Sequence, residues 1–144
     1  MSRFDDWKTP LIKHGKLTQW NWMVQYPEGL EMGKYVDIGA FTYINAKFGV
    51  VLKDWVQIGS HCSVYSWSTI DNKKGKVILE RNCRIGSHTV ILPGVIIGEN
   101  SIVGAHSLVI KNVPPNSVAY GVPAKVQRKL TSDELEKYVK ETKI

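Results

Sequence analysis

A chain of 144 residues, 43% apolar and 22% charged, is long enough for one domain with a buried core and too short for two. Nineteen Lys and Arg against 13 Asp and Glu leave a formal charge of +6, which favours an anionic partner: nucleic acid, a membrane surface or a phosphorylated small molecule. The longest stretch without a formal charge, residues 55–70, holds Gln, His and several Ser and falls short of the roughly 18 apolar residues of a membrane span.

The opening residues, MSRFDDWKTP, have no apolar h-region and no small-residue cleavage site, so a cytoplasmic location is expected. Reduced thiols at Cys62 and Cys83 go with it, because disulfide-stapled domains use many more cysteines. Residues 1–34 carry Trp7, Trp20, Trp22 and Tyr26 among polar residues without a period. They are expected to form an irregular cap over the open end of the fold built from residue 35 onward, or to line a subunit contact. His14, alone in this segment, reads as structural or solvated.

From about residue 35 a six-residue period sets in. Ile38 and Ile44 start it about two residues out of phase, and Leu52, Ile58 and Val64 continue it. Val50, Val56 and Cys62 sit two residues before these aliphatics, and Gly59 follows Ile58. Beyond an interruption the phase returns at Leu79, Ile85, Ile91, Ile97, Val103 and Val109, each preceded two residues earlier by a small or medium side chain. A period of six fits neither a 3.6-residue helix nor a simple alternating strand. It fits short strands joined by corners, three hexads closing one coil and stacked coils about 4.8 Å apart. The expected fold is therefore all-β: a parallel β-helix shaped as a triangular prism over residues 35–113.

Between Val64 and Leu79 the segment YSWSTIDNKKGKVI fills 14 positions instead of five. Asp71, Asn72, Lys73, Lys74 and Gly75 are turn chemistry, so residues 65–78 are expected to leave the prism as a loop with nine inserted residues. An alternative register makes Ile70 a further hexad with only three inserted residues. The long-loop register, which puts Ser60 below Ser87 and Ala105, is preferred because the resemblance described below implies the same alignment. After Val109 the period is lost, and Pro114 and Pro115 are expected to end the last coil, leaving residues 114–144 as a turn and a helix. In TSDELEKYVKET, Thr131 can N-cap, Glu134 completes a capping box, and Leu135, Tyr138 and Val139 form an apolar stripe.

The stretch RIGSHTVILPGVIIGENSIVGAHSLVIKNVPPNSVAYGVPAKVQRKL is very similar to the C-terminal part of hexapeptide-repeat acyltransferases, left-handed β-helix enzymes that include maltose, galactoside and polysaccharide-sugar acetyltransferases. The resemblance is close over residues 77–130 and looser back to residue 36. It implies a homotrimer with acetyl-CoA sites between neighbouring prisms and a sugar acceptor. It also implies that Ser87 in IGSH and Ala105 in VGAH line the slot for the pantetheine arm. Their spacing of one coil agrees, since it stacks them in one column along which a thin chain can lie. Lys111, Lys125 and Arg128 match positions that contact the pantetheine or phosphate end of the cofactor, and cations facing phosphates are chemically sensible.

The family's sugar O-acetyltransferases use a His in the loop as general base, and here the loop has none. Trp67, Ser68 and Thr69 stand where it is expected. His61, His88 and His106 instead share one phase, each three residues after an inward aliphatic. His61, nearest the loop, is the candidate base, with Asp71 as a second candidate or as the group that orients an amine. A neutral amine needs less help from a base than a hydroxyl, which favours an amino sugar. Tyr65, Trp67, Ser68 and Lys73 are the candidate acceptor contacts, with Lys74 and Lys76 beside them to meet a nucleotide diphosphate. Two other readings stay open. One is a non-catalytic hexapeptide scaffold. The other is a zinc protein like the γ-carbonic anhydrases, whose paired histidines within one coil this chain lacks. No metal and no nucleic acid are expected.

Overall fold

The hexads become the three faces of a prism in the computed structural model, which describes residues 4–143. Face I stacks strands Met23–Gln25, Tyr43–Asn45, Ser63–Tyr65, Val90–Ile91 and Leu108–Val109. Face II stacks Leu30–Met32, Val50–Leu52, Val77–Leu79 and Ile96–Ile97. Face III stacks Asp37–Ile38, Gln57–Ile58, Arg84–Ile85, Ile102–Val103 and Ser117–Gly121, with antiparallel Ala124–Lys129 at its edge. The expected fold class holds: an all-β solenoid of about five turns with an excursion and one short C-terminal helix.

The period is legible in the register. Ile58 pairs with Ile85 and Ile85 with Val103; Val64 pairs with Ile91 and Ile91 with Val109. Leu52, Leu79 and Ile97 form the third inward column. Val64, Leu79, Ile91, Ile97 and Val103 are all fully buried, so one narrow apolar column runs the length of the prism.

The coils begin at Met23, earlier than the sequence period. Each of the first two coils advances by twenty residues, Val24 pairing with Ile44 and Ile44 with Val64, because two extra residues are taken up at the corner from face I to face II, after Gln25 in one and after Asn45 in the next. That offset hides the coil from a search for hexads. At the other end Pro114 and Pro115 occupy a corner without ending the coil: Val113 bridges to Ile97, and Val118 pairs in parallel with Ile102. Of the aromatics in residues 1–34, Trp20 stays partly exposed while Trp7 and Trp22 pack against the first coil. Trp22 is buried against the core, Tyr35 stacks on Trp55 at 4.5 Å, and the Trp7 indole N–H donates to the Val36 carbonyl at 2.8 Å. His14 accepts the Tyr26 backbone N–H at 2.9 Å, a structural task. Residues 1–3 of the cap and residue 144 lie outside the described residues.

Helix α1, Ser132–Lys140, starts at the capping box read from the sequence, with Thr131 and Glu134 bonding each other's backbone N–H. It docks on face III through Arg84, whose guanidinium lies 4.3 Å from the centre of the Tyr138 ring and donates to Glu141 at 3.0 Å. No described helix is long and apolar enough to cross a membrane.

Candidate active site

The corner between faces III and I repeats Gly-small-large four times: Gly39-Ala40-Phe41, Gly59-Ser60-His61, Gly86-Ser87-His88 and Gly104-Ala105-His106. The last residue of each lies in the left-handed region, with φ of 63°, 56°, 59° and 58°. His is among the few side chains enriched there. Each backbone N–H in this column donates to the small residue one coil away: His61 to Ala40, His88 to Ser60 and His106 to Ser87, all at 3.0 Å. The long-loop register is therefore the real one. The imidazoles of His61 and His88 stack at 4.7 Å and those of His88 and His106 at 4.9 Å, nearly parallel, with Phe41 closing the stack above His61. Among the described residues no cluster of His, Cys, Asp or Glu is arranged to hold a metal.

Ser87 and Ala105 stack as their spacing requires, and the coils approach so closely beside them that a Cβ on Gly86 would lie 2.5 Å from the Ala105 nitrogen. Beside it, a groove of about 400 Å³ follows the outer surface of face III past Gly59, Arg84, Gly86 and Ala105. Lys125 lies near the foot of the column, paired across the edge strands with Tyr120, which packs under Gly104. Arg128 is not a free cation. Glu134 grips it in two bonds of 2.6 and 3.0 Å, and this pairing holds the Glu134 carboxyl down at about 2. Lys111 is exposed on the other edge of face I, across the prism from Ser87 and Ala105.

The excursion occupies that other edge, between faces I and II. It is narrower than residues 65–78: the Gly75 N–H donates to the Ser66 carbonyl at 2.9 Å, and Val77 is already in face II. Within it Trp67–Ser68 pairs antiparallel with Lys73–Lys74. At its base a cavity of about 570 Å³ is lined by Gln25, Tyr26, Tyr43, Tyr65, Trp67 and Ser68, among others. The Tyr43 hydroxyl donates to Gln25 Oε1 at 2.6 Å, and burial pushes it above its ordinary range. Tyr65, Trp67 and Ser68 are thus brought together. Lys73 is turned outward into an ion pair with Asp71 at 3.6 Å. The Ser68 hydroxyl, aided by the Lys73 backbone N–H and ammonium, holds the Asp71 carboxyl below its usual range, which makes it a poor base.

His61 and Asp71 are not brought together, since they stand on opposite edges of face I. The cavity residues Gln25, Tyr26, Tyr43 and Asn45 escape the sequence reading because they belong to coils spaced by twenty. Tyr43 had one available signal: Tyr43 and Asn45 flank inward Ile44 as Ser63 and Tyr65 flank Val64. Burial raises both thiols, Cys83 most, so neither serves as a nucleophile near neutral pH.

A family model described as bacterial transferase hexapeptide (six repeats) matches residues 76–111. The chain is 34% identical over 139 residues to the galactoside O-acetyltransferase of Escherichia coli, covering 86% of this chain and 68% of that protein. The chain belongs to the bacterial hexapeptide transferase family. It spans 58% of a second relative, the galactoside O-acetyltransferase of Lactococcus lactis. Among solved structures, this hexapeptide transferase resembles the acetyltransferase VCA0836 of Vibrio cholerae, complexed with acetyl coenzyme A, with a TM-score of 0.73 at 26% identity over 77% of this chain and 66% of that one. It also resembles a mutant of AntD, an N-acyltransferase from Bacillus cereus in complex with dTDP-4-amino-4,6-dideoxyglucose and coenzyme A, with a TM-score of 0.58 at 26% identity over 85% of this chain and 77% of that one.

Proposed function

We propose that this chain transfers an acetyl group from acetyl-CoA directly to the amine of a nucleotide-linked amino sugar, as a homotrimer with its sites between neighbouring prisms. The observation that carries the reading is the column Ser60, Ser87 and Ala105 beside the face III groove, a track of small residues that admits a thin, amide-bearing chain. Pantetheine is such a chain. Lys125 at the foot of the column is available to its phosphate end; Arg128 joins only by leaving Glu134. The trimer supplies what one prism lacks, bringing the His61 edge of one copy to the excursion edge of the next.

The acceptor amine attacks the thioester carbonyl carbon as the C–N bond forms and its proton passes to His61; the C–S bond then breaks, CoA leaves as the thiolate, and the protonated His61 returns that proton to it to give the free thiol. Asp71, kept ionised, orients the incoming amine. The aromatic cavity receives the sugar through Tyr65, Trp67 and Ser68. The amine is favoured over a hydroxyl because the excursion offers no imidazole, whereas the galactoside relatives favour a hydroxyl. Release of free thiol from acetyl-CoA separates the two. UDP-, dTDP- and GDP-linked amino sugars are expected to give it, and their hydroxyl counterparts are not. Turnover of a galactoside with none for any amine would overturn the reading.

A further inference from the structure

We infer that Lys47 and Lys74, with the aromatic rings between them, hold the nucleoside diphosphate carrier of the acceptor, an inference that rests on the proposed transfer to a nucleotide-linked sugar. The Lys47 ammonium lies 4.7 Å from the centre of the Tyr26 ring and the Lys74 ammonium 5.2 Å from that of Phe48. Trp67 joins the two, 6.4 Å from Tyr26 and edge-on to Phe48 at 5.8 Å. The array therefore runs cation, ring, ring, ring, cation across the base of the excursion, and two of its rings line the cavity.

Its parts are held in place. The Lys47 N–H donates to Asn45 Oδ1 at 3.1 Å, the Phe48 N–H to Ser66 Oγ at 3.0 Å, and the Trp67 indole N–H to Asn72 Oδ1 at 3.2 Å. Lys73, singled out in the sequence, is already neutralised by Asp71. Among the described residues Lys47 and Lys74 have no carboxylate partner. Two uncompensated cations flanking aromatic faces match a ligand with a planar base and adjacent phosphates. A nucleic acid strand would need a longer basic track. The shared chemistry has a second source, since CoA itself ends in an adenosine diphosphate.

The test uses UDP and dTDP as probes on the full chain, followed by calorimetric titration, with uridine as the phosphate-free control. At least one nucleoside diphosphate is expected to bind. Lys47→Met with Lys74→Met should weaken it by about tenfold or more, a doubly Arg variant should restore it, and uridine should bind by at least about tenfold less. Saturating CoA should leave the probe in place. Equal binding by the doubly Met variant, absence of binding by both probes, or displacement by CoA would each overturn the inference, the last by assigning the array to the cofactor. The two readings fail separately. Acetyl transfer to amines without nucleoside diphosphate binding sinks this inference alone, whereas probe binding that depends on the lysines without any thiol release sinks only the transfer reaction.

Discussion

Replacing His61 by Asn is expected to lower turnover by about 10²-fold or more while acetyl-CoA still binds. Asn is the cleanest replacement because His61 sits at a φ of 56°, and Asn82, Asn100 and Asn116 adopt the same conformation at the corner between faces II and III. The corner survives and only the proton acceptor is lost. His88→Asn, one coil further along the same stack, is the matched control and should change turnover little. Unchanged turnover in His61→Asn would remove His61 from the reaction and leave the substrate amine or Asp71. Asp71 starts at a disadvantage, because Ser68 and Lys73 hold its carboxylate below the usual range.

Leu79→Ala should be among the most destabilising single changes in the prism. Leu79 is completely buried in the middle of the inward column between Leu52 and Ile97. Truncation leaves a cavity that rigid stacked coils cannot collapse, which costs about 3 kcal/mol and lowers the melting temperature by roughly 10 °C for a chain of this size. Ile70→Ala deletes the same three carbons from a side chain that is 95% exposed at the tip of the excursion and should stay within about 0.5 kcal/mol of the parent. Thermal denaturation monitored by circular dichroism distinguishes the two, and equal melting temperatures would contradict the register.

That register was open to reading because a prism repeats one physical demand many times. Every sixth residue from Leu79 to Val109 fills the same narrow interior, so the sequence carries six copies of one signal. Where the demand is met only once, the signal fades. The coil from Met23 takes two extra residues at a corner, and Pro114 and Pro115 mask a coil that goes on to Val118. The capping box at Thr131 was legible because it is local. The site was legible in part. Ser87, Ala105, Tyr65, Trp67 and Ser68 emerge from phase and loop composition, and the structure gathers them into a column and a cavity. Tyr26 and Tyr43 join that cavity through pairings between distant segments, which no local pattern announces. Arg128 reads from the sequence as a free cation because its partner, Glu134, lies across the turn into the helix.

Thermal unfolding with and without saturating acetyl-CoA shows whether the small-residue column receives the acyl donor. At a concentration one hundred times the dissociation constant, a ligand that binds only the native state adds about 2.7 kcal/mol, which here is a rise of several degrees in melting temperature. That rise is expected, and so is its loss when Ala105→Trp fills the column. An unchanged melting temperature in saturating acetyl-CoA would contradict donor binding there and leave the prism as a scaffold.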